Sequence, residues 1–376
     1  MTINRRLSVP AESPMGLTKR GTPRKQGKSA RGTWSQSVAL DRRHRPQTVD
    51  RPSSTVRREW ARAPQEAHLL DEENSRYRRL TVDEIAILQG FDPSWFDVEN
   101  VSDWNRTCAA GDSVPPPLAK AVIDAVVSSD LIKTATAIEV CAGAGGLASA
   151  SAAFGLRHVG LFEHWEPATH ILRTAKPWAS EAVRHADVRE ADWSQFRGGI
   201  GLLSGGPPCQ PWSLAGRRKR TLDDRDLLGT IHEVVAAVAP EVFVFENVPG
   251  LISDNSMPYL HDLLSQLRSP ADDLSYGVLA GAFQAADFGV PQKRRRVFLI
   301  GLRDRSNAQA HRVLDRIHAS RTHRSPHIPD RDRRPWVTVG EALAGRPDPG
   351  GWRRWTHQDG VHQDDGGNEV DRSAAH

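Results

Sequence analysis

The stretch Ala137-Ile138-Glu139-Val140-Cys141-Ala142-Gly143-Ala144-Gly145-Gly146-Leu147 decides how the rest of the chain is read. Its first four residues form a short, mostly apolar run, the right length for a strand and too short for a helix. The glycines that follow let the backbone turn tightly and approach a bound group closely, and a small-residue helix over 147–154 would present free N–H groups there. Strand, glycine-rich turn and helix together predict the opening unit of an α/β sheet, with a cradle for a nucleotide-like ligand. Glycine-rich turns are common, so this signal gains weight only from what surrounds it.

Working outward, the same alternation continues. Val159-Gly160-Leu161-Phe162, Gly201-Leu202-Leu203, Val242-Phe243-Val244-Phe245 and Val297-Phe298-Leu299-Ile300 are short apolar runs separated by helix-like segments. Residues 136–300 therefore read as an α/β fold, a mostly parallel sheet covered on both faces. Glu163 closes the second strand, where a carboxylate can accept hydrogen bonds from ribose hydroxyls. Asp187 follows a third strand-like segment and is placed to border an adenine. Singly, each reads as an ordinary surface carboxylate; at the ends of consecutive strands they support one site.

Upstream, Thr81 and Glu84 form a capping-box pattern, with Ile85, Leu88 and Phe91 on the buried side and Gly90 as terminator. Pro115-Pro116-Pro117 is expected to block regular structure, and a second helix is expected over about 118–129. Residues 1–50 are rich in Arg, Lys, Ser, Pro and Gly and read as a basic, largely disordered extension. Residues 302–376 have few apolar side chains and read as a small or incomplete second lobe, partly disordered, with one short element at Trp336–Leu343.

The 376 residues suffice for one large domain and a smaller lobe. Cys108, Cys141 and Cys209 cannot build a disulfide framework, and none lies in a paired C-x-x-C. No apolar run is long enough to span a bilayer and no secretory signal opens the chain, so a cytoplasmic setting is expected. Residues 1–62 carry 15 Lys/Arg and 4 Asp/Glu; against a whole-chain balance of +4, the remainder is net −7. A basic arm on a mildly acidic body points to a polyanionic partner, although a solvated tail has the same composition.

The most informative segment is Ser204-Gly205-Gly206-Pro207-Pro208-Cys209-Gln210-Pro211-Trp212-Ser213. It follows a buried strand and so lies at the ligand edge of the sheet. Most lone cysteines are inert core residues, but one flanked by prolines in a loop is held for its thiol. Glu246-Asn247-Val248 puts a carboxylate at the end of another buried strand. In Gln292-Lys293-Arg294-Arg295-Arg296 the alternate residues Gln292, Arg294 and Arg296 share one face of an extended chain. Thiol, carboxylate and guanidinium suit attack on an electron-poor pyrimidine; an ion-pair partner and a solvated edge strand are the plainer readings.

These segments resemble the P-C-Q, E-N-V and Q-x-R-x-R motifs of the DNA cytosine-5 methyltransferases. Glu139–Leu147 is similar to that family's cofactor motif, with Cys141 where a Phe is usual, and Asp224-Arg225-Asp226-Leu227-Leu228 to the short motif after the cysteine loop. Two motifs that close the family's sequences stand here at the front: Arg79–Phe91 resembles R-x-L-T…L-Q-G-F, with Arg51–Val56 as its lead-in. Gly111–Pro117 resembles G-N-S-V-P-P, with Asp112 in place of Asn. The chain thus reads as a circular permutant in four parts: the extension 1–50, the displaced motifs 51–130, a catalytic and cofactor-binding domain 131–301, and a remnant of the target-recognition region, 302–376. A short link at 130–136 would join the displaced helix to the first strand.

The resemblance implies a Rossmann-like methyltransferase fold and S-adenosylmethionine as cofactor, held by Cys141, Ala142, Gly143, Gly145, Gly146, Leu147, Glu163, Asp187, Pro208 and Ser113. It implies Cys209 as nucleophile on a flipped-out cytosine of double-stranded DNA, with Glu246, Arg294 and Arg296 completing the catalytic set and a nearby helix end or Arg favouring the thiolate. It further implies a restriction-modification setting. An RNA cytosine-5 methyltransferase and a non-catalytic or partner-dependent subunit are the alternatives. Because 1–50 and 302–376 look too polar to build a recognition domain, a second polypeptide supplying target choice is expected.

Overall fold

The computed structural model describes residues 46–61, 66–174, 177–209 and 226–354. The basic extension before 46, residues Gln210–Arg225 and the tail after 354 lie outside them, and with them the second half of the cysteine motif.

The described chain opens on β1 (Gln47–Thr48), β2 (His68–Asp71) and β3 (Arg76–Arg79), followed by α1 (Val82–Gln89), α2 (Asp103–Asp112) and α3 (Pro116–Val127). Then come β4 (Thr136–Val140), α4 (Gly146–Ala153), β5 (Arg157–Glu163), α5 (Glu166–Thr174), β6 (Val183–His185) and β7 (Leu202–Gly205). After these run α6 (Leu227–Val238), β8 (Val242–Asn247), α7 (Met257–Arg268), β9 (Tyr276–Gln284) and β10 (Arg295–Arg303). The C-terminal part holds α8 (Asn307–Ala319), β11 (His323–Arg324), β12 (Arg334–Pro335), α9 (Val339–Leu343) and β13 (Arg353–Arg354).

The main sheet has the order β6-β5-β4-β7-β8-β10-β9. The first five strands are parallel, as the short apolar runs predict. β10 is antiparallel to both its neighbours. The cause is the route of the chain: β9 lies at the sheet edge, and the short return from it inserts β10 between β9 and β8. A strand entering so soon after its predecessor has to run the other way.

Alternation along the strands assigns the two faces. Val242 and Val244 of β8 join Phe298 and Ile300 of β10 under α3, α4 and α8, through Leu118, Val122, Leu147, Val313 and Ile317. Phe243, Phe245, Val297 and Leu299 face the other way, against Ile231 and Val235 of α6 and Leu260 and Leu263 of α7. α8 is a helix that the reading of 302–376, as poor in apolar side chains with one short element at Trp336–Leu343, did not include. Its Ala310, Val313, Leu314 and Ile317 are buried at helical spacing, while Arg, His and Asp fill the outer face.

The front helices follow the sequence closely in one respect and depart from it in another. Both arms of the Thr81–Glu84 capping box are formed, and Gly90 closes α1 in the left-handed region at φ 87°. The prolines do not block structure, however: Pro116 and Pro117 are the first two residues of α3, where an N–H is not needed. The front segment is latched to the strand it must serve. Ser53 pairs with Gln292, whose buried amide takes the Val56 N–H at 2.8 Å and donates to Leu88 O at 3.0 Å and Gln89 Oε1 at 2.7 Å. Among the described residues no helix is long and apolar enough to cross a membrane.

Candidate active site

The C-terminal ends of β4, β5, β7 and β8 open onto a cavity of about 630 Å³. One end is walled mostly by backbone. β4 is followed directly by Cys141, which has φ 51°, and Gly143 comes next but one at φ 55°; the turn they make is tied to β5, because Gly143 N–H donates to Glu163 Oε2 at 2.8 Å. The other Glu163 oxygen accepts the Trp165 N–H at 2.7 Å. Asp187 is gripped by the Arg189 guanidinium, which holds its carboxyl at about 2. Phe162 and Val188 supply apolar wall beside these carboxylates.

Cys141, Gly143, Glu163, Asp187 and Pro208 line the cavity. Ala142, Gly145, Gly146, Leu147 and Ser113 stand behind it, and the glycines there serve packing. A Cβ on Gly146 would fall 2.0 Å from Val114 O, and one on Gly145 would fall 2.7 Å from the Trp178 ring. Ser113 donates its hydroxyl to Ala109 O at 2.7 Å. Asp112 does reach the cavity, paired with Arg58, whose guanidinium lies 4.4 Å over the Trp165 ring; burial raises the Asp112 carboxyl. Arg58 and Trp165 carried no signal in the sequence, because neither belongs to a glycine turn or a strand end.

The other end of the cavity is built from side chains. Cys209 follows β7 and is 6% exposed. Its loop is fixed by the Asn247 amide, which donates to Pro207 O at 2.9 Å, and by Leu228 N–H on Pro208 O at 3.3 Å, which sets the first turn of α6 against the cysteine. Glu246 ends β8, and Arg296 of β10 meets its Oε1 with Nε at 2.7 Å. Gly206 leaves the space between: a Cβ there would lie 3.6 Å from Glu246 Oε2. The structure thus brings Cys209, Glu246 and Arg296 into one chamber.

Arg294 has a different task. It is 1% exposed, and its guanidinium donates to the carbonyls of Val56 at 2.6 Å, Gly111 at 2.9 Å and Ser113 at 3.1 Å. The side chain clamps the front segment to the sheet while it also lines the cavity. The second cavity thiol also differs from the first. Burial, with the charges of Glu163, Asp187 and Glu139, pushes the Cys141 thiol far up, which keeps it protonated and unreactive.

A glycine-bearing strand end and the loop that carries Cys209 face each other across this cavity. The family model for C-5 cytosine-specific DNA methylases matches residues 13–128 and 135–341. The chain belongs to this family. It is 36% identical over 172 residues to the Type II methyltransferase M.PspPI of Psychrobacter sp. (strain TA137), across 44% of this chain and 39% of that protein. It is 34% identical over 174 residues to the Type II methyltransferase M.NgoMIV of Neisseria gonorrhoeae, across 45% and 52%. The chain therefore aligns with about half or less of the length of these Type II methyltransferases. Among solved structures it is similar to that of the S. pombe Dnmt2 methyltransferase, at 21% identity and TM-score 0.35, across 44% of this chain and 50% of that one.

Proposed function

We propose that this chain is a DNA cytosine-5 methyltransferase with Cys209 as its nucleophile. The observation that carries the reading is the sharing of one cavity by the Cys209 thiol, the Glu246–Arg296 pair and the loop from Cys141 to Gly143. Cys209 adds to carbon 6 of the pyrimidine. Glu246, carrying a proton when the base is bound, donates to ring nitrogen 3 while its other oxygen accepts from the exocyclic amine, and Arg296 donates to the 2-keto oxygen, so electron density raised by the addition is received by fixed donors. The site lies in a recess that a stacked base cannot enter, so the cytosine is flipped out of the duplex.

The cofactor of this reading is S-adenosylmethionine, which when bound supplies an electrophilic methyl group. The residues fit it. Glu163 is 7% exposed and fixed by two backbone N–H groups, leaving lone pairs for ribose hydroxyls; Asp187 and the apolar Phe162 and Val188 suit an adenine.

The reading includes a permuted motif order. Support comes from the break in the family match after residue 128 and from α3, which packs against α4 beside the sheet before a short link to β4. The Type II names of the relatives favour a restriction-modification setting. Target choice is assigned to a second polypeptide, because the described residues beyond α8 form only short elements. The test of the central claim is covalent trapping. Full-length protein, S-adenosylmethionine and a 5-fluorocytosine duplex library should give an adduct that survives denaturation. Loss of it in Cys209→Ser supports the reading; an equal adduct in that variant, or no adduct and no 5-methylcytosine in DNA from expressing cells, overturns it.

A further inference from the structure

Tyr259 is the third residue of α7, and its hydroxyl joins three elements. It donates to the Asp226 carboxylate, whose oxygens lie at 3.0 and 2.9 Å, and it is also hydrogen-bonded to the side chain of Cys209. Asp226 is the N-cap of α6 and accepts the Gly229 N–H at 3.3 Å. Gly229 is bare where these groups meet: a Cβ there would lie 3.0 Å from Asp226 Oδ2 and 3.5 Å from Tyr259 Oη.

A phenol has one proton to donate. Of its two neighbours the carboxylate is acceptor-only and takes that proton, which leaves the thiol S–H to donate to the phenolic oxygen. Burial, with Cys209 and the Asp226 carboxylate beside the hydroxyl, pushes the Tyr259 phenol up. Tyr259 therefore stays neutral and can pass a proton on without holding a charge. Among the described residues, the other charged groups turned to this chamber are Glu246 of β8 and Arg296 of β10, which pair with each other; on α6, His232 is turned to its own Gly229 carbonyl at 3.1 Å.

We propose that Tyr259 and Asp226 form the proton path that activates Cys209. This rests on the reading of Cys209 as the nucleophile of a cytosine. As the bond from Sγ to carbon 6 forms, the S–H bond breaks and its proton passes to Tyr259 Oη, while the phenolic proton passes to Asp226. The electron pair of the 5,6 double bond moves to carbon 5. A thiol and a carboxylate become a thioether and a carboxylic acid, and the negative charge leaves Asp226 for the ring, beside Glu246 and Arg296. Tyr259 touches the reacting sulfur and is in that sense catalytic; Asp226 acts through it.

The test uses full-length wild type, Tyr259→Phe and Asp226→Asn, the last chosen because Asn caps a helix as well as Asp. Two readouts are needed. The first is alkylation of Cys209 by iodoacetamide from pH 6 to 10, followed by peptide mass spectrometry. The second is single-turnover methylation over the same range. Both variants should alkylate Cys209 with a profile displaced to higher pH. Their methylation rates should fall by about 100-fold near pH 7, within the range for a lost general base, and recover to within about threefold of wild type by pH 9.5, where thiolate forms unaided. Superimposable alkylation profiles, or a methylation deficit that is the same at every pH, would overturn the path. If wild type methylates no cytosine, the functional reading fails while the alkylation profiles still decide the proton path.

Discussion

The two ends of the cavity are built on different principles. At the cofactor end the chain uses backbone: a left-handed Cys141, a turn at Gly143, and a carboxylate whose two oxygens are already engaged by N–H groups. At the base end it uses side chains that satisfy one another, Glu246 with Arg296 and Tyr259 with Asp226 and Cys209. The first arrangement holds its shape whether or not a ligand is present. On the proposed reading the second exchanges partners when a pyrimidine arrives, because each group has something to trade. Damage at the base end should therefore fall on the reaction, and damage at the cofactor end on affinity and folding.

The largest expected effect tests the base end. Cys209→Ser should lower methyl transfer by at least about 1,000-fold, in keeping with loss of a nucleophile, while the dissociation constant for S-adenosylmethionine stays within about twofold of wild type. A large change in that constant would erase the division between the ends. Next comes the clamp that holds the front segment to the sheet. Arg294→Ala strands three buried carbonyls and should cost about 3 kcal/mol or more of stability, read from urea midpoints. A variant of normal stability that merely lost activity would put Arg294 with the catalytic groups instead.

Glu163→Ala should weaken S-adenosylmethionine binding by roughly 1–3 kcal/mol, the range for a charged, buried hydrogen bond, as measured by calorimetry. Unchanged affinity would reduce Glu163 to a brace for the turn. The smallest effect concerns pH. Burial lowers His158 of β5, which lies beside Trp178 behind the cofactor turn, from 6.5 to about 4. The folded protein refuses a proton that the unfolded chain accepts. Stability is full above about pH 6.5 and falls as the pH drops toward 4, by about 2 kcal/mol at pH 5. His158→Gln should remove that much of the difference between urea midpoints at pH 7.5 and 5.

The sequence made the backbone-built end legible and half of the other. Strands β4, β5, β7 and β8 announce themselves as short apolar runs, and the glycine turn and Pro-Pro-Cys loop carry their own geometry. β9 did not show, because Gly277, Ala280, Gly281 and Ala282 dilute its apolar character, and the direction of β10 followed from that omission. α8 was hidden by the charged residues of its outer face. Asp226 and Tyr259 stand 33 positions apart and meet only because the starts of α6 and α7 flank the same loop. No spacing within one segment could pair them. Arg294 and Arg296 look equivalent on one face of an extended chain, and the structure separates them by what each has to donate to.

The join between α3 and β4 has a further consequence for protein engineering. Residues 128–135 are held by the Arg316 guanidinium on Ser128 O and Ser129 Oγ, by Glu241 on the Lys133 and Thr134 N–H groups, and by the Arg157 N–H on Ala135 O. The pieces on either side meet through the Ser53–Gln292 pairing, the Arg294 clamp and the apolar contact of α3 with α4. Breaking the chain in this link should give two fragments that recognise each other without a covalent connection. Co-expressed from separate reading frames, they should reassemble into a working unit, so that methylation becomes a signal that both halves are in the same cell.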